Sequence, residues 1–315
     1  MSVCIGGKTY QVTRDGPVRE MQDSSGLLGD GAALRAQLEK DGYLLLRGVL
    51  PKEVVDDARS AVLQHMHSQG LIDGPLADAR IATQASTDQG RIRGVGGLCN
   101  SPPMQAFTRA PSLHALFTDL FDTAPATFDF KWLRAVTTGE SSGFHMDSVY
   151  MGRGSRRLTT CWLPLMEVGY ELGGLVVVPG SHRAEEYRRV RETYGQLDLD
   201  RDDVGGTGWF SEDPDELLRL QLPLATARFR PGDLVLFGTH TMHGSCVNTT
   251  DRWRLSCDVR FQPGCDVIDE RWLFDSSGDI PGRHSRWQRL RDDREAYPVT
   301  MEMAKQRWGL VLVRS

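Results

Sequence analysis

The spacing of hydrophobic and polar positions changes near residue 126. Before it, the rhythm is helical. In GAALRAQLEKDG, Leu34 and Leu38 recur at i, i+4, and Asp41-Gly42 supplies a stop signal. The apolar run Tyr43–Leu46 follows, and residues 48–51 turn the chain. A second helix is predicted from Pro51, which a first turn tolerates, to Gly70. A third helical stretch covers residues 103–121, with a break at Pro111.

After residue 126 the runs are short and β-rich: TFDFKWLRAV, RLTTCWLPLMEV, GGLVVVPG, ATARF, GDLVLFG and RWRLSCDVRFQ. Turns such as Arg230-Pro231-Gly232-Asp233 separate them. Few helix-length spacers intervene, so antiparallel pairing is expected over βαβ units. Residues 183–220 interrupt this rhythm as a charged insert, and the tail of GGTGWFSEDPDELLRL suits one short helix. The expected fold is mainly β with flanking helices: an antiparallel jelly-roll, or double-stranded β-helix, barrel of the cupin-like kind. It is read as a single domain without a hinge. Residues 1–125 form a helix-rich support, 126–263 the jelly-roll core, and 264–315 a C-terminal extension.

Composition narrows the class. Among 315 residues, 42 acidic and 37 basic side chains give a net charge of −5, which argues against a generally basic nucleic-acid binder. No apolar run approaches the roughly 18 residues that span a bilayer, and the N-terminus lacks the apolar stretch of a secretory signal. Six cysteines without a CxxC pair read as reduced thiols, and a cytoplasmic enzyme is expected, with no membrane partner. The 33 glycines exceed the usual share and suit a chain with many tight turns.

The candidate chemistry starts at Phe144-His145-Met146-Asp147. In an extended strand, residues i and i+2 share a face, so His145 and Asp147 could reach one ion. His243 follows the strand GDLVLFG in THTMHGS. Two imidazoles and a carboxylate make the facial triad of non-haem Fe(II) oxygenases and leave three coordination positions open. An HxD tripeptide is common by chance, and neighbouring His240 is as good a candidate as His243. Arg254 raises the odds: it lies 11 residues past His243 in RWRLSCDVRF, with Ser256 on the same face by alternation. A guanidinium fork beside a hydroxyl suits a carboxylate.

With those residues in place, the chain resembles the phytanoyl-CoA dioxygenase-like group of iron(II)- and 2-oxoglutarate-dependent oxygenases. GFHMDSVYMGRGS, LTTCWLPLMEV, ELGGLVVVPGSH, FRPGDLVLFGTHTMHGS and NTTDRWRLSCDVRFQP carry the resemblance, with DGYLLLRGVLPKEVVDDARSAV upstream. The last 50 or so residues are not covered. The resemblance implies that His145, Asp147 and His243 ligate iron, and that Arg254 binds the distal carboxylate of 2-oxoglutarate with Ser256 or Ser245 assisting. It places Trp162 in the co-substrate pocket, Thr160 as a hydrogen-bond donor there, and Lys131 within reach of the co-substrate. O₂ is the remaining co-substrate, and succinate and CO₂ the co-products of hydroxylating an unactivated C–H. Asp147 disfavours halogenation, which in relatives goes with a small residue at that position.

Iron binding is expected to weaken as the histidines titrate toward acid pH. His182 reads as a hydrogen-bonding residue rather than a ligand. The basic loop Arg153-Gly154-Ser155-Arg156-Arg157 is a candidate for holding an anionic substrate. Residues 81–99, the insert and the tail after Pro263 are expected to shape the pocket, with Arg91 or Arg93 projecting into it. No strongly basic groove for coenzyme A phosphates is evident, so a free small molecule is favoured. Alternatives are a zinc hydrolase with the same two-His, one-Asp set, or a non-catalytic metal-binding barrel.

Overall fold

The helix Gly31–Asp41 starts where the Asp30 side chain accepts from the Ala33 N–H. It ends at Gly42, whose φ of 79° only glycine adopts without strain. The computed structural model describes residues 1–83, 92, 95–291, 293 and 297–310. Arg91 and Arg93 lie outside the described residues. A second helix, Lys52–Ser68, follows Pro51 and buries Val55, Ala58, Val62 and Met66 along one face. The predicted break at Pro111 is present: the third stretch divides into Pro102–Thr108 and Pro111–Phe121.

These helices pack under a six-stranded sheet, and their apolar side chains share one core with it. The sheet runs Tyr43–Leu46, Leu234–Gly238, Thr159–Pro164, Arg254–Pro263 and Pro125–Thr127, with Trp132–Val136 also paired to Arg254–Pro263. Every pairing in it is antiparallel. TFDFKWLRAV therefore makes two strands rather than one. Thr127 pairs with Phe261 and Trp132 with Asp258, so the intervening residues 128–131 loop out.

A four-stranded sheet closes the other side, in the order His243–Ser245, Leu175–Val177, Leu224–Thr226, Val18–Glu20. Its last pairing is parallel, Leu224 against Val18, which corrects the expectation of a wholly antiparallel barrel. The N-terminal part also holds a hairpin of Ser2–Ile5 and Lys8–Gln11, so it is not purely helical. Both departures involve strands of three or four residues, too short to show an alternation of their own.

The insert packs on this smaller sheet. Tyr187, Tyr194, Phe210 and Leu217 join Val176, Val178 and Leu224 in a second core. The predicted short helix lies at Pro214–Leu218. The tail adds Trp287 and Ala304 to the same core. Gln262 anchors the start of the tail, its Nε2 donating to the carbonyls of Asp266 and Val267 at 3.2 Å. All six cysteines are free thiols. Among the described residues, no helix is long and apolar enough to cross a membrane.

The strand Arg254–Pro263 is buried along its whole length. Leu255, Cys257, Val259 and Phe261 enter the core beneath the sheet, where Phe261 stacks on Phe117 at 4.1 Å. Alternation sends Arg254, Ser256, Asp258, Arg260 and Gln262 to the opposite face, between the two sheets. Five buried polar side chains in one row need partners, and those partners define the site.

Candidate metal and co-substrate site

His145, Asp147 and His243 each offer one ligand atom, and these atoms lie within 4.8 Å of one another. The backbone brings the imidazoles together: His145 N donates to His243 O at 2.8 Å and His243 N to His145 O at 3.0 Å. The HxD segment is not a continuous strand, contrary to expectation. Phe144 and His145 make bridges, whereas Asp147 has helical backbone angles and opens the turn Ser148–Met151. That turn swings the carboxylate back toward both rings.

The tautomers follow from the neighbours. His145 Nδ1 sits 2.8 Å from Gly143 O, and His243 Nδ1 2.9 Å from Thr241 O. A carbonyl only accepts, so each Nδ1 carries the proton and each Nε2 keeps its lone pair. Those two Nε2 atoms lie 3.9 and 3.7 Å from Asp147 Oδ1. Burial, followed by the neighbouring His243, pushes the His145 imidazole down to about 3, and burial also lowers His243. Burial alone would raise the Asp147 carboxyl. Arg260, the two imidazoles and the Thr160 hydroxyl outweigh it and hold the carboxyl below its ordinary range. Two neutral imidazoles and an ionised carboxylate converge on one point, the donor set a divalent cation such as Fe(II) requires.

A narrow cleft leads from the two histidines to Arg254, between Trp162, Ser245 and Phe237. Arg254 is 1% exposed. Its Nη1 donates to Ser256 Oγ at 2.5 Å, while its Nε has no partner. Among the described residues no carboxylate pairs with it. Burial, with Arg134 nearby, draws it down to about 10. A buried guanidinium lacking a carboxylate is costly alone and suits an anionic ligand that arrives from outside. Ser245 lines the cleft, but its Oγ accepts from Ser142 N at 2.7 Å. Trp162 lines the cleft and packs edge-on against Phe229, serving cleft and core together.

Two expected contacts fall elsewhere. Thr160 Oγ1 donates to Asp147 Oδ2 at 2.5 Å, so it serves the carboxylate of the triad rather than the co-substrate. Lys131 is buried away from the cleft, and its ammonium donates to the Phe128 carbonyl. Burial and the charge of Arg109 lower it to about 8, with Cys99 and Cys257 beside it. It alternates with Trp132 and therefore points to the helix side of the sheet. His240 is not in the cluster; its Nδ1 meets Thr239 Oγ1 at 3.3 Å. His182 Nε2 lies 2.8 Å from Glu39 O, the hydrogen-bonding role expected for it.

On its other side the triad opens into a wider cavity, which His145 and Asp147 help to line. Trp132, Tyr150, Trp209, Trp272 and Trp287 form much of its wall. Tyr150 links the triad to that wall, 5.6 Å edge-on from His145 and 5.2 Å from Trp287. The insert supplies Trp209 and the tail supplies Trp272 and Trp287, two segments that were expected to shape the pocket. Residues 92 and 95 instead line a neighbouring groove. Two of the basic loop's three arginines are already paired: Arg153 grips Asp198 at 2.5 Å and Arg157 grips Asp266 at 2.5 Å. Arg156 faces a groove beside His182 and His240, away from the triad.

The residue missed from sequence is Arg260. It is 2% exposed, donates from Nη2 to Asp147 Oδ2 at 3.1 Å, and lies 3.9 Å over the ring of Trp132. Alternation from Arg254 already put it on the same face; its pairing with Asp147 needed the fold. Arg134, also missed, holds Asp258 at 2.7 Å where cleft and cavity meet.

Known proteins resemble this chain in the same region. A curated relative, 1-deoxypentalenic acid 11-beta-hydroxylase of Streptomyces exfoliatus, is 22% identical over 259 residues, covering 76% of this chain and 84% of the relative. The epimerase SnoN, solved with Fe3+, alpha ketoglutarate and nogalamycin RO, aligns with a TM-score of 0.54 at 21% identity, over 80% of this chain and 92% of SnoN. EctD from S. alaskensis, solved with 2-oxoglutarate and 5-hydroxyectoine, aligns with a TM-score of 0.55 at 19% identity, over 84% of this chain and 86% of EctD. The sequence pattern of the phytanoyl-CoA dioxygenase family matches residues 38–256, a stretch that holds His145, Asp147, His243, Arg254 and Ser256. The chain therefore belongs to the phytanoyl-CoA dioxygenase family, the non-haem iron oxygenases that use 2-oxoglutarate.

Proposed function

We propose that this protein hydroxylates an unactivated C–H of a free, ring-bearing small molecule. The observation that carries the reading is the position of the triad between two unlike cavities. One is a narrow cleft ending at the carboxylate-less Arg254; the other is a wide, aromatic-walled chamber. In this reading His145, Asp147 and His243 hold the iron. Arg254, backed by Ser256, receives the distal carboxylate of 2-oxoglutarate. Iron with 2-oxoglutarate and O₂ supplies the oxidant for the C–H and leaves succinate and CO₂.

The protein's share is orientation. The Gly143 and Thr241 carbonyls fix the rings, and Arg260 with Thr160 fixes the carboxylate. The aromatic wall seats the substrate and keeps water away from the triad. Of the loop arginines expected to meet an anion, Arg153 and Arg157 are paired to carboxylates and Arg156 faces a groove away from the triad, which supports a scaffold recognised by its rings over a coenzyme A ester. The names of relatives, with 1-deoxypentalenic acid, nogalamycin and 5-hydroxyectoine in them, fit a compact metabolite. We take the chain to work as one oxygenase unit in the cytoplasm. Its N-terminal helices share a core with the larger sheet, and its thiols are all free.

The test is succinate release from Fe(II)-loaded protein across a panel of ring-bearing metabolites, beside His145→Ala. Substrate-stimulated succinate that vanishes in His145→Ala supports the reading. Turnover with Zn(II) and no 2-oxoglutarate would replace it with a hydrolase.

A further inference from the structure

Arg260 and Thr160 stand opposite each other in the larger sheet, as direct partners between Arg254–Pro263 and Thr159–Pro164. Both donate to one and the same atom, Asp147 Oδ2, Thr160 from 2.5 Å and Arg260 from 3.1 Å. Oδ1 receives neither and is the oxygen facing the two histidine Nε2 atoms at 3.9 and 3.7 Å. A carboxylate can ligate a metal through one oxygen or two. An oxygen that accepts two hydrogen bonds, one from a cation, is a poor second ligand because its lone pairs are engaged. A second Asp147 bond would also fill one of the three positions a facial triad leaves for co-substrate and O₂.

The guanidinium is itself held in place. It lies over the ring of Trp132, 3.9 Å from the ring centre, and its Nη1 is 3.7 Å from Asp258 Oδ2, an atom Arg134 already engages. A planar fork can stack and donate at once; an ammonium cannot. We infer that Arg260 is a positioning residue that, together with Thr160, confines Asp147 to one-oxygen ligation and so keeps a coordination position open for 2-oxoglutarate. This rests on the triad holding iron, as proposed above.

The full chain is titrated anaerobically with Fe(II), then with 2-oxoglutarate, for the wild type, Arg260→Met, Arg260→Lys, Thr160→Val and His145→Ala. Fe(II) affinity, 2-oxoglutarate affinity and the visible charge-transfer band are read, with apo-protein melting as a check on folding. Fe(II)-loaded Arg260→Met should bind 2-oxoglutarate about 10- to 100-fold more weakly, the span seen on losing partners of metal ligands, with a shifted or weakened band. Thr160→Val should move the same readouts in the same direction by less. Arg260→Lys should not restore the band, although it keeps the charge. Wild-type band and affinities within two-fold in both Arg260→Met and Thr160→Val overturn the inference. Full rescue by lysine also overturns it, since charge alone would then suffice. Failure of the wild type to bind Fe(II) instead removes the iron reading. Should Arg260→Met not fold, Thr160→Val and Arg260→Lys decide.

Discussion

The two cavities that meet at the triad are built by opposite means. The cleft toward Arg254 is made largely of strand residues: Trp162, Leu175, Phe237, His243 and Arg254 all sit in paired strands. The aromatic chamber is closed by Trp209 from the insert and by Trp272 and Trp287 from the tail, segments of short turns and little sheet. The family match ends at residue 256, so it encloses most of the cleft and none of the wall the tail contributes. Strands fix positions through ladders of hydrogen bonds and suit a chemistry held in common. Loops tolerate change at small cost to the core and suit recognition of one substrate.

Breaking the hub should affect both cavities. Asp147→Ala removes the charged ligand, and substrate-stimulated succinate should fall to background, about 100-fold or more, with Fe(II) binding measured alongside. Breaking the strand-built side alone should be nearly as severe. Arg254→Met should weaken 2-oxoglutarate by about 3 kcal/mol, roughly 100-fold, the cost of losing one partner of a buried charge pair. Substrate binding to the Fe(II) form should hardly move; equal losses on both sides would erase the distinction.

Acid should loosen the triad that both cavities share. His145 is buried neutral with its pKa lowered to about 3, so the unfolded chain, near 6.5, binds the proton more readily. Stability present above pH 6.5 is therefore lost as pH falls toward 3. Between pH 6.5 and 5 the loss from His145 is about 1.5 kcal/mol, and His243 shifts in the same direction. Melting of the apo protein against pH should show this, with a shallower slope in His145→Gln. The same lowering revises the sequence expectation for iron. In the folded apo protein the rings stay neutral through mildly acid pH, so loading should resist acid further than ordinary histidines would allow.

The smallest effect belongs to the loop-built side. Trp209→Ala removes one aromatic panel and should raise substrate KM about five-fold, in line with the roughly 1 kcal/mol of an aromatic contact. The KM for 2-oxoglutarate should stay within two-fold. A change in the latter alone would mean the insert does not select substrate.

Much of this site was legible in the sequence because local patterns encode it. Asp30 and Gly42 mark a helix by capping, and strand alternation puts Ser256 beside Arg254 whatever the partner strand. HxD spacing brought His145 and Asp147 together for a partly different reason, a helical turn in place of an extended strand. The rest depends on register between distant segments. That Arg260 faces Thr160, and that both reach Asp147, follows from pairing strands about 100 residues apart, which alternation alone cannot specify. Lys131 misled because its face follows from the register that sets Trp132 opposite Asp258, a pairing of distant segments that its own sequence does not specify. The parallel strand Val18–Glu20 is three residues long, and its place is set by the free sheet edge it finds.

Gln262 gives the molecule a seam. Its amide pins the chain where the last barrel strand gives way to the tail, at Asp266 and Val267. Upstream of that joint lie the triad, Arg254 and part of the chamber wall; downstream lie Trp272 and Trp287, the rest of that wall. On the proposed reading, a gene exchange cut at this joint would replace the tail's part of the chamber wall and leave the triad and Arg254 where they are.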